Sequence, residues 1–391
     1  MSTGCHGSQT GLRCASLLRM ATAHSSLRRR RALPSLLIGL LAGAGSTATV
    51  DVASAGAAVR SNTVAAGATV PSAGCRIAPV PAVTNQQQNM TIQGVSRFYL
   101  LTTPSPSTPS PTPSKGTSSV TAGSPIPRPL VVDFHGLAEG ATLHAQTSQF
   151  GALGQKDGFV AVFPNGTGSP VQWKATDQAP TNPDLEFVTA LLKQVETSQC
   201  IDTSRVYASG FSDGSFMVSL LACTMSNTFA AIGAVSGLQL PKPCQTARRV
   251  PIITFHGTAD PILYFNGGVG TGLLNGLFGQ GGSTSSTSST TTTTTRPARL
   301  HGPGVPATVQ GWAVKDSCNP RPTDTRLSSQ VVLRTYACPP KTSVTFYIIL
   351  GGGHAWPGST FSQSISKITG FTTFQINATT TMWSFFQRFR L

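Results

Sequence analysis

Charge is scarce in this chain of 391 residues: Asp, Glu, Lys and Arg together make up 10%, and only 13 residues are acidic. Apolar residues reach 39%, so the scarcity of charge does not signal disorder, which needs a poorer apolar content and more charge. No apolar run reaches 18 residues, which excludes a protein of several membrane spans. No CxxC pair is present, which argues against a zinc ribbon. A basic stripe is missing too, despite a net charge of +15. Six arginines (Arg13, Arg19 and Arg28 to Arg31) lie in residues 1–50, where no acidic residue occurs. Without them 22 basic residues face 13 acidic ones, and no basic run is longer than Arg248-Arg249. That describes a mildly basic surface and no nucleic-acid partner.

The N-terminus reads as an export signal. Arg28 to Arg31 precede a short apolar stretch, Ala32 to Ala42, and Ala53-Ser54-Ala55 offers a cleavage site. Residues 1–55 are therefore expected to be a signal region and 56–74 a flexible segment, giving a secreted protein with no stable span after processing. A start at Met20 would give a signal of ordinary length; the paired arginines permit twin-arginine export, and an uncleaved anchor is the alternative. Removal of Cys5 and Cys14 leaves six of the eight cysteines, an even number open to 15 pairings. Cys318–Cys338, flanking a predicted hairpin, is the expected bridge. Asn89, Asn165 and Asn377 begin N-x-[ST] sequons.

Two low-complexity stretches interrupt the rest, a Pro/Ser/Thr-rich one at 104–124 and a Gly/Ser/Thr-rich one at 267–308. Both are expected to be extended, solvated surface insertions. The roughly 250 residues outside them suit one domain, here 75–391 with its inserts. Short apolar runs end Phe134-His135-Gly136, Phe163-Pro164-Asn165, Ser209-Gly210 and Phe255-His256-Gly257. They alternate with helical spacing over Phe187 to Val195, Phe216 to Met225 and Ala378 to Phe389. Apolar strands alternating with helices predict an α/β fold: a mostly parallel sheet covered on both faces, with its site at the strands' carboxyl ends.

Gly210-Phe211-Ser212-Asp213-Gly214 is a G-x-S-x-G between a predicted strand and a predicted helix. A sharp turn there exposes a serine hydroxyl at a helix N-terminus, where negative charge is favoured. Serine needs a base, and the chain order for this motif is Ser, acid, His. Three histidines follow: His256, His301 and His354. His354 stands in Gly351-Gly352-Gly353-His354 just after the last strand and is the expected base. Among Asp260, Asp316 and Asp324, Asp260 lies just past a strand end and is the expected orienter. His256 is expected to be structural, bonded to the turn before Asp260. The oxyanion donors are expected from the N–H of Asp213 and of Gly136 or Leu137, with the Asp213 carboxylate turned away.

These segments resemble the polyhydroxybutyrate depolymerase and feruloyl esterase group of the α/β-hydrolase superfamily. The matching stretches are PLVVDFHG (129–136), GFVAVFPNG (158–166), RVYASGFSDGSFM (205–217), VPIITFHGTADPILYFNGG (250–268) and GGGHAWPGS (351–359). Ser215 replaces a commoner Gly and Phe163 a frequent Tyr. The resemblance implies the α/β-hydrolase fold, the triad Ser212, Asp260 and His354, and no cofactor or metal. Trp173 and Asp184 sit where the group has a Trp and an acidic residue before a helix and are expected to be structural; Trp173, Trp356 and His135 are the candidate substrate contacts. A monomeric esterase is expected, acting on feruloyl-type cell-wall esters first and on polyhydroxybutyrate as the alternative, since no added substrate-binding domain follows His354. The competing classes are a non-catalytic glycan-binding protein on the same scaffold and an adhesive stalk protein.

Overall fold

Successive side chains of a strand leave on opposite faces, and the apolar runs obey that period. Within Arg128–Phe134 (β3), Leu130, Val132 and Phe134 join one apolar cluster and Val131 the other. The computed structural model describes residues 68–78, 80–111, 125–270 and 298–391, all within the unit Asn62–Leu391. The signal region, residues 56–67 of the expected flexible segment, and residues 112–124 and 271–297 of the low-complexity stretches lie outside the described residues.

Two strands, Gln86–Ile92 (β1) and Val95–Thr102 (β2), form an antiparallel hairpin ahead of β3. Val160–Pro164 (β4), Ile201–Phe211 (β5), Ala231–Val235 (β6), Ile252–Gly257 (β7), Thr323–Arg326 (β8), Val331–Thr335 (β9) and Val344–Ile349 (β10) follow. They make a 10-stranded sheet ordered β1-β2-β4-β3-β5-β6-β7-β10-β9-β8. The run from β4 to β10 is parallel throughout, and antiparallel pairs close both edges. Helices Pro183–Ser198 (α3), Asp213–Thr224 (α4) and Val305–Lys315 (α5) pack into one face cluster. Gly140–Ser148 (α1), Phe150–Asp157 (α2) and Ala378–Phe386 (α8) pack into the other; Thr360–Ser364 (α6) and Ser366–Thr369 (α7) follow β10. This is the expected mostly parallel sheet, covered on both faces.

Three expectations of flexibility are corrected where residues are described. Pro104 to Pro111 is pinned: the Arg128 guanidinium donates to the carbonyls of Ser105, Pro106 and Thr108, and Arg205 donates to that of Pro111 at 2.6 Å. Prolines have no N–H to bind their neighbours' carbonyls, so a Pro-rich segment offers free acceptors to buried guanidinium groups. The segment before Cys75 is docked as well, with Val70 N–H on Asp202 Oδ1 at 3.0 Å and Ser72 N–H on the Ile201 carbonyl at 2.8 Å. Within 267–308, the returning limb bonds back to its root: Arg299 N–H meets Asn266 Oδ1 and Val305 N–H meets the Phe265 carbonyl. It then runs directly into α5.

Disulfides join Cys75 to Cys200, Cys223 to Cys244 and, as expected, Cys318 to Cys338. Among the described residues no helix is long and apolar enough to cross a membrane.

Candidate active site

β5 ends at Phe211 and α4 begins at Asp213, so Ser212 alone makes the turn, with φ 55° and ψ −116°. Positive φ in a residue with a Cβ is costly, on the order of 1–3 kcal/mol, and persists only where the surroundings impose it. Ser212 N–H is held by the Val235 carbonyl at 2.9 Å. The flanking glycines are obligatory: a Cβ on Gly210 would stand 2.3 Å from the Gly214 carbonyl oxygen, and one on Gly214 2.0 Å from that of Phe134. Ser215 is well suited to its place. Its hydroxyl lies 2.8 Å from the Gly210 carbonyl and 2.7 Å from that of Val235, and accepts from Val235 N–H.

Asp260 and His354 are brought together across the carboxyl ends of β7 and β10. His354 Nδ1 lies 2.9 Å from Asp260 Oδ2, and both side chains are buried. Asp260 Oδ1 accepts the backbone N–H groups of Ile262 and Leu263 at 2.9 Å each. Burial works to raise the Asp260 carboxyl, but the His354 interaction and these amides hold it below its ordinary value. It is thus an anion able to fix the Nδ1–H tautomer, leaving Nε2 as the basic nitrogen. The ring of Phe211, the residue before Ser212, packs against that of His354 with centroids 5.0 Å apart. His256 bonds to the turn after Asp260, not before it: Nε2 is 2.8 Å from the Leu263 carbonyl. Burial lowers its pKa, which keeps it neutral.

The expected oxyanion donors need one correction. Gly136 N–H is already committed to Glu139 Oε2 at 2.7 Å, so of the two alternatives Leu137 is the one that remains. Among the described residues no protein acceptor takes the N–H of Leu137 or Asp213. The Asp213 carboxylate does turn aside, accepting Trp173 N–H at 2.8 Å, and burial raises its pKa to about 6.

All three expected substrate contacts are buried. Trp173 is 5% exposed and Trp356 1%, and His135 is wholly buried. Trp173 Nε1–H bonds the His135 carbonyl, and Trp356 Nε1–H bonds Thr379 Oγ1. His135 accepts Gly166 N–H on Nε2 and donates from Nδ1 to the Gly136 carbonyl at 2.7 Å; burial lowers its pKa to about 4, so it is neutral. Their indole and imidazole groups spend their polar atoms on the scaffold and present none to a cleft. Asp184 is structural as expected, paired with Arg97 at 2.8 Å inside the protein.

The sequence reading missed a buried charged group beside the serine. His144, on α1, lies 3.0 Å from Asp133 Oδ2 through Nε2 and 3.1 Å from Glu139 Oε2 through Nδ1. Thr147 donates to Glu139 Oε1 at 2.6 Å. The one available signal was an acidic residue heading a helix, where negative charge is favoured.

Residues 120–277 match the family model described as "Esterase PHB depolymerase". The chain is 30% identical over 149 residues to feruloyl esterase B of Piromyces equi, an alignment covering 36% of this chain and 28% of that protein. It is 26% identical over 305 residues to the putative esterase NocK of Nocardia uniformis subsp. tsuyamanensis, covering 72% of this chain and 77% of that one. Among solved structures, the acetyl xylan esterase from Aspergillus awamori aligns over 72% of this chain and 98% of its own, at 14% identity and a TM-score of 0.47. The family model and the match to feruloyl esterase B bear out the resemblance to the polyhydroxybutyrate depolymerase and feruloyl esterase group. The match to feruloyl esterase B spans less than a third of that protein's length.

Proposed function

We propose that this chain, a relative of the polyhydroxybutyrate depolymerase and feruloyl esterase group, is a serine carboxylesterase working through an acyl-enzyme. The observation that carries the reading is Ser212 held at positive φ on the strand-to-helix turn, with the His354–Asp260 pair at the same edge of the sheet. In this reading Ser212 Oγ attacks the ester carbonyl while His354 Nε2 takes its proton. The tetrahedral oxyanion is held by Asp213 and Leu137 N–H, and the alcohol leaves with the proton from His354. Water, deprotonated by the same imidazole, then releases the acid. No metal or organic cofactor has a part in these steps.

Feruloyl-type esters of plant cell-wall polysaccharides are the preferred substrates, a choice supported by the likeness to feruloyl esterase B. Polyester hydrolysis is the second reading, favoured by the family model's description. Three disulfides among the described residues support a secreted protein, since such bonds persist in oxidising compartments. The test is a substrate panel of methyl ferulate, acetylated xylan, a polyhydroxybutyrate suspension and a short p-nitrophenyl ester, each with wild type and Ser212→Ala. Ferulate release that vanishes in the variant supports the first reading, and clearing of the suspension the second. Turnover retained by Ser212→Ala contradicts both. A folded wild-type chain inert on every ester favours a non-catalytic glycan binder.

A further inference from the structure

A trans peptide points its C=O and N–H in opposite directions, so fixing one aims the other. The peptide joining Gly136 to Leu137 is fixed through its carbonyl, which takes His135 Nδ1–H at 2.7 Å and Glu139 N–H at 3.2 Å. The peptide before it is fixed at both ends, with the His135 carbonyl on Trp173 Nε1–H at 2.9 Å and Gly136 N–H on Glu139 Oε2 at 2.7 Å. The peptide after it is fixed through Ala138 N–H on the Val171 carbonyl at 2.8 Å. Ala138 itself sits at φ 62°, a conformation a residue with a Cβ adopts only under constraint. This loop abuts the serine: a Cβ on Gly136 would lie 3.3 Å from both Ser212 Cβ and Glu139 Oε2.

We propose that Glu139, backed by His144 and Asp133, is a positioning group for acyl transfer that clamps the Gly136–Ala138 turn and aims Leu137 N–H at the oxyanion. The inference rests on the esterase reading above. Glu139 is suited to the task because its carboxylate serves three partners: Gly136 N–H, His144 and the Thr147 hydroxyl. An uncompensated carboxylate so near a developing oxyanion would oppose catalysis. His144 offsets part of that charge. It stands between two carboxylates, with Nδ1 hydrogen-bonded to Glu139 Oε2 at 3.1 Å and Nε2 in ion-pair contact 3.0 Å from Asp133 Oδ2, a position that favours the imidazolium. Burial alone would lower its pKa, yet the flanking Asp133 and Glu139 raise it to about 10.

The test compares Glu139→Gln and Thr147→Ala with wild type, reading kcat, KM, the melting temperature and the affinity of an alkyl boronic acid, which forms a tetrahedral adduct on an active serine. Glu139→Gln is expected to lower kcat about 10- to 100-fold with KM nearly unchanged, and to weaken the boronate by a similar factor. Thr147→Ala, which removes one of the three bonds, is expected to do the same by a few-fold and carries the test if Glu139→Gln does not fold. A drop in melting temperature with kcat and boronate affinity intact would overturn the proposal and leave the cluster as scaffold. Ser212→Ala, run alongside, separates the two failures: its retained turnover would sink the esterase reading itself, whereas its inactivity beside a fully active Glu139→Gln sinks the clamp alone.

Discussion

Asp260 does two jobs with two oxygens, one on His354 and the other on the Ile262 and Leu263 amides. Asn in its place keeps an acceptor for those amides but cannot hold the imidazole in the same tautomer. Asp260→Asn is expected to fold normally and lose about 10⁴-fold in kcat, measured on whichever ester the wild type turns over. The lowered pKa of Asp260 also has a stability consequence. Its anion favours the folded state above the ordinary carboxylate value near ~4, and that contribution is lost as pH falls through the lower folded value. Asp213 runs the other way. Its folded pKa is about 6, so the folded state takes up a proton first and stability declines as pH rises between about 4 and 6. Thermal melts across that window should show Asp213→Asn, which has no such proton, gaining on wild type as pH rises. Equal pH profiles for the two proteins would contradict the assignment.

At the scale of elements, the proposed site is three strand ends and the loops they launch: β5 leads to Ser212, β7 to Asp260 and β10 to His354. That much was legible, because G-x-S-x-G and a Gly-rich loop after a strand encode local geometry that the chain must adopt wherever it folds. The substrate contacts were not legible. Whether Trp173 and Trp356 face a cleft depends on what the rest of the fold packs over them, and here the scaffold takes both indole N–H groups. The Asp133–His144–Glu139 cluster escaped notice for a related reason: it exists only once α1 is laid against β3 and β4. The proline-rich stretch misled because composition speaks for isolated chain, whereas Arg128 supplies a tertiary partner. Arg128→Ala should therefore leave activity intact but make 104–124 more susceptible to proteolysis, scored by the rate of cleavage there. An unchanged cleavage rate would mean the anchor does not restrain the segment.

For the whole molecule, the disulfide Cys75–Cys200 closes the longest loop, spanning 125 residues and tying the N-terminal segment to the start of β5. On chain-entropy grounds its loss, in a Cys75→Ser/Cys200→Ser variant, should cost about 5 kcal/mol, read from denaturant unfolding. Fold class was legible across the chain because strands and helices alternate over its length, and the β8–β9 hairpin was expected between Cys318 and Cys338; the polar edge strand β1 and the helix α5, which begins inside low-complexity sequence, were less so. The proposed mechanism makes Ser212 the nucleophile. The most direct test is labelling with a fluorophosphonate, which reacts with a serine only when a working base activates it, followed by mass spectrometry of the modified peptide. Stoichiometric modification of Ser212 in wild type, abolished in Ser212→Ala and strongly slowed in Asp260→Asn, is the predicted result. A folded wild-type protein that takes no label at Ser212 would contradict the account.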